Sequence, residues 1–130
     1  MTSQERAELA AGYKASGKCN CCQSVVRAYA DCVDADPETL MKMASGFGAG
    51  MGCAEGTCGS LCGAVMVAGL LKDGKGTPMV SRQVLAEFAR RSGDTICKRL
   101  KGLETGLVLC QCNDCVRNAV LSLESVLPQD

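Results

Sequence analysis

SGFGAGMGCAEGTCGSLCG, residues 45–63, sets seven glycines and three cysteines within nineteen residues. Five of those glycines (Gly46, Gly48, Gly50, Gly52 and Gly56) precede Cys58. Each glycine loses much backbone freedom on ordering, so the run predicts neither a stable helix nor a strand. It predicts a loop whose backbone passes close to something or takes positive φ, with N–H groups free to point inward. Cys53 and Cys58 lie in or beside the loop, and Cys62 follows one helical turn later. The thing approached is therefore expected to be negative and sulfur-bound. The loop runs straight into an apolar helix carrying Cys58 and Cys62, which argues against a mobile linker with incidental cysteines.

On both sides of the loop the pattern is helical. Thr2-x-x-Glu5 has the form of a capping box and predicts a first helix from about Ser3 to Ser16, closed by Gly17. Asn20 caps a second helix, Cys21 to about Val33, with Val25, Val26, Tyr29, Ala30 and Val33 on its apolar stripe. Asp36-Pro37 opens a short helix to Ala44, with Leu40, Met41 and Met43 read as core. Thr57 caps the central helix, about Cys58–Leu71, which is apolar nearly all round. Pro78–Ser92 follows, with Val80, Val84, Leu85, Phe88 and Ala89 inward. Asp94 caps a short helix holding Ile96, Cys97 and Leu100, and Leu107–Cys110 reads as a short extended piece. The last helix, about Asn113–Leu127, stops at Pro128. The expectation is a single all-α domain over residues 1–130. It is a compact bundle of about four to six helices with its cysteines converging at helix N-termini.

The totals exclude several functions. Fourteen basic and fourteen acidic residues give no electrostatic case for nucleic acid or an anionic membrane. Two Tyr, two Phe and no Trp leave few stacking platforms for bases. Histidine is absent, which removes the commonest general base and nitrogen ligand, and with them c-type haem attachment. The longest apolar run, Leu61–Leu71, is too short to span a bilayer. Nothing in the N-terminal stretch reads as a secretory signal, so a cytoplasmic location is expected. In that compartment eleven cysteines, an odd number, read as metal or redox ligands rather than as staples.

Cys21, Cys58 and Cys97 each fall in the first turn of an expected helix, and Cys112 falls just before one. Helix N-termini carry partial positive charge and unpaired N–H groups, which stabilise thiolate. Four such starts meeting at one point suit an iron–sulfur centre. The spacings alone (Cys53-x4-Cys58, Cys110-x-Cys112-x2-Cys115) are each weak signals.

These same positions resemble the small redox proteins named for a C_GCAxxG_C_C motif. NCCQSV (Asn20–Val25) places Cys21, SGFGAGMG (Ser45–Gly52) matches the glycine loop, and CGSLCG (Cys58–Gly63) matches the central element with Ser60 in place of Ala. ICKRL (Ile96–Leu100) places Cys97, and CNDCVRNA (Cys112–Ala119) places Cys112. The resemblance covers nearly the whole chain. It implies an all-helical redox domain whose cluster sits on Cys21, Cys58, Cys97 and Cys112, as in the related domain of split-Soret cytochrome c, and without haem. The chain departs from the family by excess: Cys19, Cys22, Cys32, Cys53, Cys62, Cys110 and Cys115 go beyond the four. Of these, Cys53, Cys62, Cys110 and Cys115 are second-choice cofactor ligands, Cys53 and Cys62 also being candidates for the metal itself. Cys32 is read as core. The cluster can be 2Fe–2S or 4Fe–4S, with room for a larger or second one.

An electron carrier or cluster-bearing module is therefore expected, rather than a stand-alone enzyme, with an unidentified redox partner and no membrane insertion. Two alternatives stand beside it. Cys58-x3-Cys62 on one helix face would suit a Cu(I) storage bundle, although storage should spread cysteines down the helix interiors. Cys19-x2-Cys22 and Cys112-x2-Cys115 would suit a metal-free dithiol redox protein, although the βαβ context is missing. Glu55, between two candidate ligands, is the one acid of interest, and a solvent-facing position is the plainer reading. The apolar central helix could also serve a homodimer contact.

Overall fold

The computed structural model describes residues 1–129 and is all-helical. Its helices are α1 (Ser3–Ala15), α2 (Cys21–Ala28), α3 (Pro37–Ala44), α4 (Gly59–Leu71), α5 (Thr77–Ser92), α6 (Cys97–Leu100) and α7 (Cys112–Val126). Six have eight or more residues, and α6 is a single turn. Among the described residues the only extended pairing is an isolated antiparallel bridge between Thr57 and Ile96. No helix among them is long and apolar enough to cross a membrane.

Local signals set the helix starts. Thr2 Oγ1 accepts from the Glu5 amide at 3.0 Å, and Glu5 Oε1 accepts from the Thr2 amide at 2.8 Å, which is the reciprocal capping box. Asn20 and Gln23 repeat it at the head of α2, both bonds 3.0 Å. Asp36 accepts from the Thr39 amide ahead of α3, with Pro37 at the first helical position.

The core is continuous. Leu61, Ala64, Val67 and Ala68 of α4 pack with Val25 and Val26 of α2, Val84 and Phe88 of α5, and Val116, Val120 and Leu123 of α7. Ala7 and Ala10 bring α1 onto the same core. Each large apolar side chain fully buried here stabilises the fold by roughly 1.5–3 kcal/mol. Gly63 lets α2 and α4 meet closely: a Cβ there would lie 2.7 Å from the Cys22 carbonyl oxygen.

The structure departs from expectation at several places, each with a local cause. Helix α2 ends at Ala28, not Val33, because Arg6 Nη1 takes the Ala28 carbonyl at 2.7 Å and the chain turns away. Cys58, not Thr57, is the residue that caps α4. Leu107–Cys110 is no strand; the Leu109 and Cys110 amides both donate to Leu100 O, at 2.9 and 3.2 Å. Leu40 is buried, but Met43 is 60% exposed, because α3 lies on the rim of the bundle. Leu85 likewise lies half out of the core.

At one end of the bundle a buried polar network forms. Arg6 donates from Nη1 to Asp31 Oδ1 at 2.7 Å and lies 4.8 Å over the Tyr29 ring. The Tyr29 hydroxyl donates to Glu124 at 2.7 Å, and Ser3 Oγ reaches the same carboxyl at 3.2 Å. Burial, reinforced by Glu124, pushes the Tyr29 phenol well up.

Candidate functional site

The glycine loop folds into an unusual shape. Ser45–Phe47 forms a 3-10 turn, and Ala49, Gly50, Met51 and Gly52 then all take positive φ, at 55°, 60°, 67° and 78°. This is one turn of left-handed helix, closed by Gly52 N–H to Gly48 O at 2.9 Å and followed by Ala54 N–H to Ala49 O at 2.9 Å. Left-handed backbone at Ala49 and Met51 costs on the order of 1–2 kcal/mol each. The expected inward-pointing amides are therefore in part consumed: those of Gly52, Ala54 and Gly56 bond within the loop.

The strained loop positions two cysteines. The Cys97 amide donates to Gly56 O at 3.0 Å, Lys98 N–H to Ala54 O at 2.9 Å, and Cys58 N–H to Thr95 O at 2.8 Å. Cys58 and Cys97 are thus sewn together although 39 residues separate them (97 − 58). Asp94 Oδ1 supports this seam by accepting from the Thr95 and Ile96 amides. Close backbone approach finishes the arrangement. A Cβ on Gly50 would fall 2.4 Å from Cys97 Cβ, and one on Gly59 would fall 2.4 Å from Cys21 Sγ and 2.6 Å from Phe47 O. Asn20 Nδ2 donates to Ser45 O at 2.9 Å, which fixes the head of α2 against the loop.

One cavity results, lined by Cys21, Cys58, Gly59, Cys97, Leu100, Lys101, Cys112 and Cys115. As the side chains stand it encloses about 20 Å³, room for roughly one water. The four cysteines singled out by their helix-start positions meet here. Cys21, Cys97 and Cys112 are the first residues of α2, α6 and α7, and Cys58 is the cap of α4. Of the second-choice residues, only Cys115 joins them. Cys53 is exposed on the loop, its sulfur 3.9 Å from Gly50 O. Cys62 lies half-buried with its sulfur 4.0 Å from Thr57 O. Cys110 is buried outside the cavity beside Asn118 Nδ2, at 3.6 Å. Cys32 packs against the core near Asp31. Glu55 faces solvent and pairs with Lys98 at 3.0 Å. Among the described residues no group of three or more Cys, Asp or Glu is placed to hold a single metal ion.

The thiols are not equivalent. Cys58 is pulled below the usual thiol range against the effect of burial: the neighbouring Cys115 thiol contributes most, with Ser60 Oγ at 2.9 Å and the Ser60 and Leu61 amides adding to the pull, while the Cys115 thiol itself reaches Cys110 O at 3.6 Å. Cys115 is pushed above the usual thiol range by the same contact and by burial. Burial raises Cys97, with Lys101 opposing it. Burial also raises Cys62, to about 11. Lys101 is held above its ordinary range: burial opposes its charge, but Cys112, Cys97 and Cys21 favour it more.

One participant carries no obvious signal: Lys101 is legible only as a spacing, four residues after Cys97 and on the same face. Cys115, expected as a second-choice ligand from its spacing to Cys112, does line the cavity.

Fold and site together define an all-helical, cysteine-rich domain in which thiols from four helix starts share one cavity. The chain belongs to the family described as "Putative redox-active protein (C_GCAxxG_C_C)", whose profile matches residues 19–126. No curated protein and no solved structure matches it.

Proposed function

We propose that Cys21, Cys58, Cys97 and Cys112 hold an iron–sulfur cluster and that the protein is an electron carrier or cluster-bearing redox module. The observation that carries this reading is the convergence of those four sulfurs on one cavity from helix starts spread over the chain. The donor set suits the group: apart from the Lys101 ammonium, every side-chain polar atom in the lining is sulfur, and the chain has no histidine. Gly59 is the cradle, since a side chain there would collide with Cys21 Sγ. When bound, the cluster supplies a one-electron couple. Around it the chain presents thiols at partly positive helix ends, the hydroxyl of Ser60 beside Cys58, and a shell of Leu100 and Gly59 that limits water. Holding such a group ties four separate helix starts together, which couples cofactor binding to local ordering.

A second reading has one observation in its favour. Cys58, pulled toward thiolate with Cys115 beside it in the lining of the same cavity, has the form of a nucleophile with a resolving thiol. Protein purified and reconstituted without oxygen separates the two. The cluster reading expects iron and acid-labile sulfide with broad visible absorption, abolished in Cys58→Ser and Cys112→Ser and retained in Cys32→Ser. An iron-free protein with one titratable Cys58–Cys115 disulfide would install the second reading instead. A full cluster in both Cys58→Ser and Cys112→Ser would refute the ligand assignment.

A further inference from the structure

The cavity holds one charged side chain. Five of its eight lining residues are cysteines, and Lys101 is the sole ionic group beside them. Its neighbours in sequence are differently employed. Lys98 is committed to Glu55 at 3.0 Å and Glu104 at 3.1 Å. Arg99 reaches out to Asp94 at 4.0 Å, with its side chain 62% exposed. Lys101 has no carboxylate partner among the described residues, and it is half-buried rather than solvated. Its place is fixed by the backbone: its amide donates to Cys97 O at 3.0 Å, which sets it one turn beyond that cysteine at the end of α6. A Lys ammonium taken out of water without a counter-ion is costly unless negative charge faces it. Here the facing groups are thiols that carry such charge when deprotonated.

We propose that Lys101 is the fixed counter-charge of the thiol pocket and sets the potential at which the group held there accepts an electron. The inference rests on the cluster reading above and adds to it a tuning residue outside the ligand set. An all-thiolate centre is anionic, and each added electron makes it more so. A cation facing it stabilises the reduced form more than the oxidised form, and so raises the potential. Lys101 lies outside the proposed ligand set. It is a positioning and tuning residue, and its effect requires charge rather than shape.

The test compares wild type, Lys101→Met and Lys101→Arg, each reconstituted without oxygen, by iron and sulfide content and by dye-mediated redox titration. The expected result is full loading in all three. Lys101→Met should lower the one-electron reduction equilibrium constant at least tenfold, a fall of about 59 mV. Lys101→Arg should stay near wild type, because the charge is kept. A Lys101→Met protein that melts like wild type but fails to load, beside a Lys101→Arg protein that loads fully, would also support the counter-charge. A loaded Lys101→Met protein with the wild-type potential would overturn the inference and leave the cluster reading standing. Equal shifts in Lys101→Met and Lys101→Arg would overturn it too, since shape and not charge would then be responsible. A wild-type protein that takes up no iron and sulfide would overturn the cluster reading, and the inference with it.

Discussion

Helices α2 and α7 each join two contrasting ends of the bundle. At their starts stand Cys21 and Cys112; at or near their finishes stand Ala28 and Glu124. The twelve residues from Cys112 to Glu124 correspond to about 18 Å of rise. At the polar end the strong donors and acceptors are matched: Arg6 to Ala28 O and Asp31, Tyr29 to Glu124, all at 2.7 Å. At the sulfur end Cys21 and Cys97 make no hydrogen bond through sulfur among the described residues, and strained backbone does the positioning. The difference separates two uses of buried polarity. The polar end satisfies itself and fastens α1 to α2 and α7. The sulfur end keeps Cys21 and Cys97 available, and the fold absorbs left-handed turns at Ala49 and Met51 beside them.

The strongest way to break that contrast is to fill the glycine that shapes the sulfur end. Gly59→Ala should cost about 1–3 kcal/mol from overpacking, because its Cβ would meet Cys21 Sγ at 2.4 Å and the Phe47 carbonyl oxygen at 2.6 Å. The sulfur can rotate away, but the carbonyl is backbone, so the head of α2 and the loop must shift. Iron and sulfide uptake should fall much further than stability does. Gly12→Ala is the control: nothing lies within 4 Å of a Cβ there, and in mid-helix it should add about 0.5–1 kcal/mol. Thermal melts read beside metal analysis check both. Full loading in Gly59→Ala would show that the cradle is incidental.

The sulfur end is more legible in the sequence than the polar end, for physical reasons. Asn20 before Cys21 and Asp94 ahead of Cys97 are local capping signals, and the absence of histidine makes thiol the natural ligand. Local chemistry does not announce Ala49 and Met51 in left-handed conformation; bonds from the Cys97 and Lys98 amides, about forty residues on, hold the loop that contains them. Arg6 reads as a surface residue on a weakly apolar helix, yet it is 3% exposed. Its burial depends on where Ala28 O and Asp31 arrive, which is tertiary information. The ending of α2 at Ala28 has the same origin.

At the polar end the corresponding change should leave the cofactor alone. Tyr29→Phe removes the hydroxyl that donates to the buried Glu124 and leaves that carboxyl with Ser3 alone. Loss of one partner of a buried hydrogen bond costs about 1–3 kcal/mol. Stability measured by denaturant should fall by that amount, while iron and sulfide content per folded chain should not change. A loss of loading comparable to that of Gly59→Ala would mean that the two ends are coupled through α2, and the contrast would fail.

The smallest effect concerns pH. Hydrogen bonding to Arg6 holds the Asp31 carboxyl below the usual carboxylate range, with burial opposing slightly. A depressed carboxylate contributes stability that is fully present above its unfolded pKa, near 4, and is lost as pH falls through the lower folded value. The polar end should therefore weaken only in strongly acidic solution. The Asp31 side chain is 60% exposed, so solvent screens the pair and the contribution should stay below about 1 kcal/mol. Melting temperatures of wild type and Asp31→Asn, taken from pH 5 to pH 2, make the comparison. Wild type should exceed the variant at pH 5 and converge on it toward pH 2. A gap that persists undiminished at pH 2 would mean that Asp31 acts through neutral hydrogen bonding, and that the charge of Arg6 is balanced elsewhere in the network.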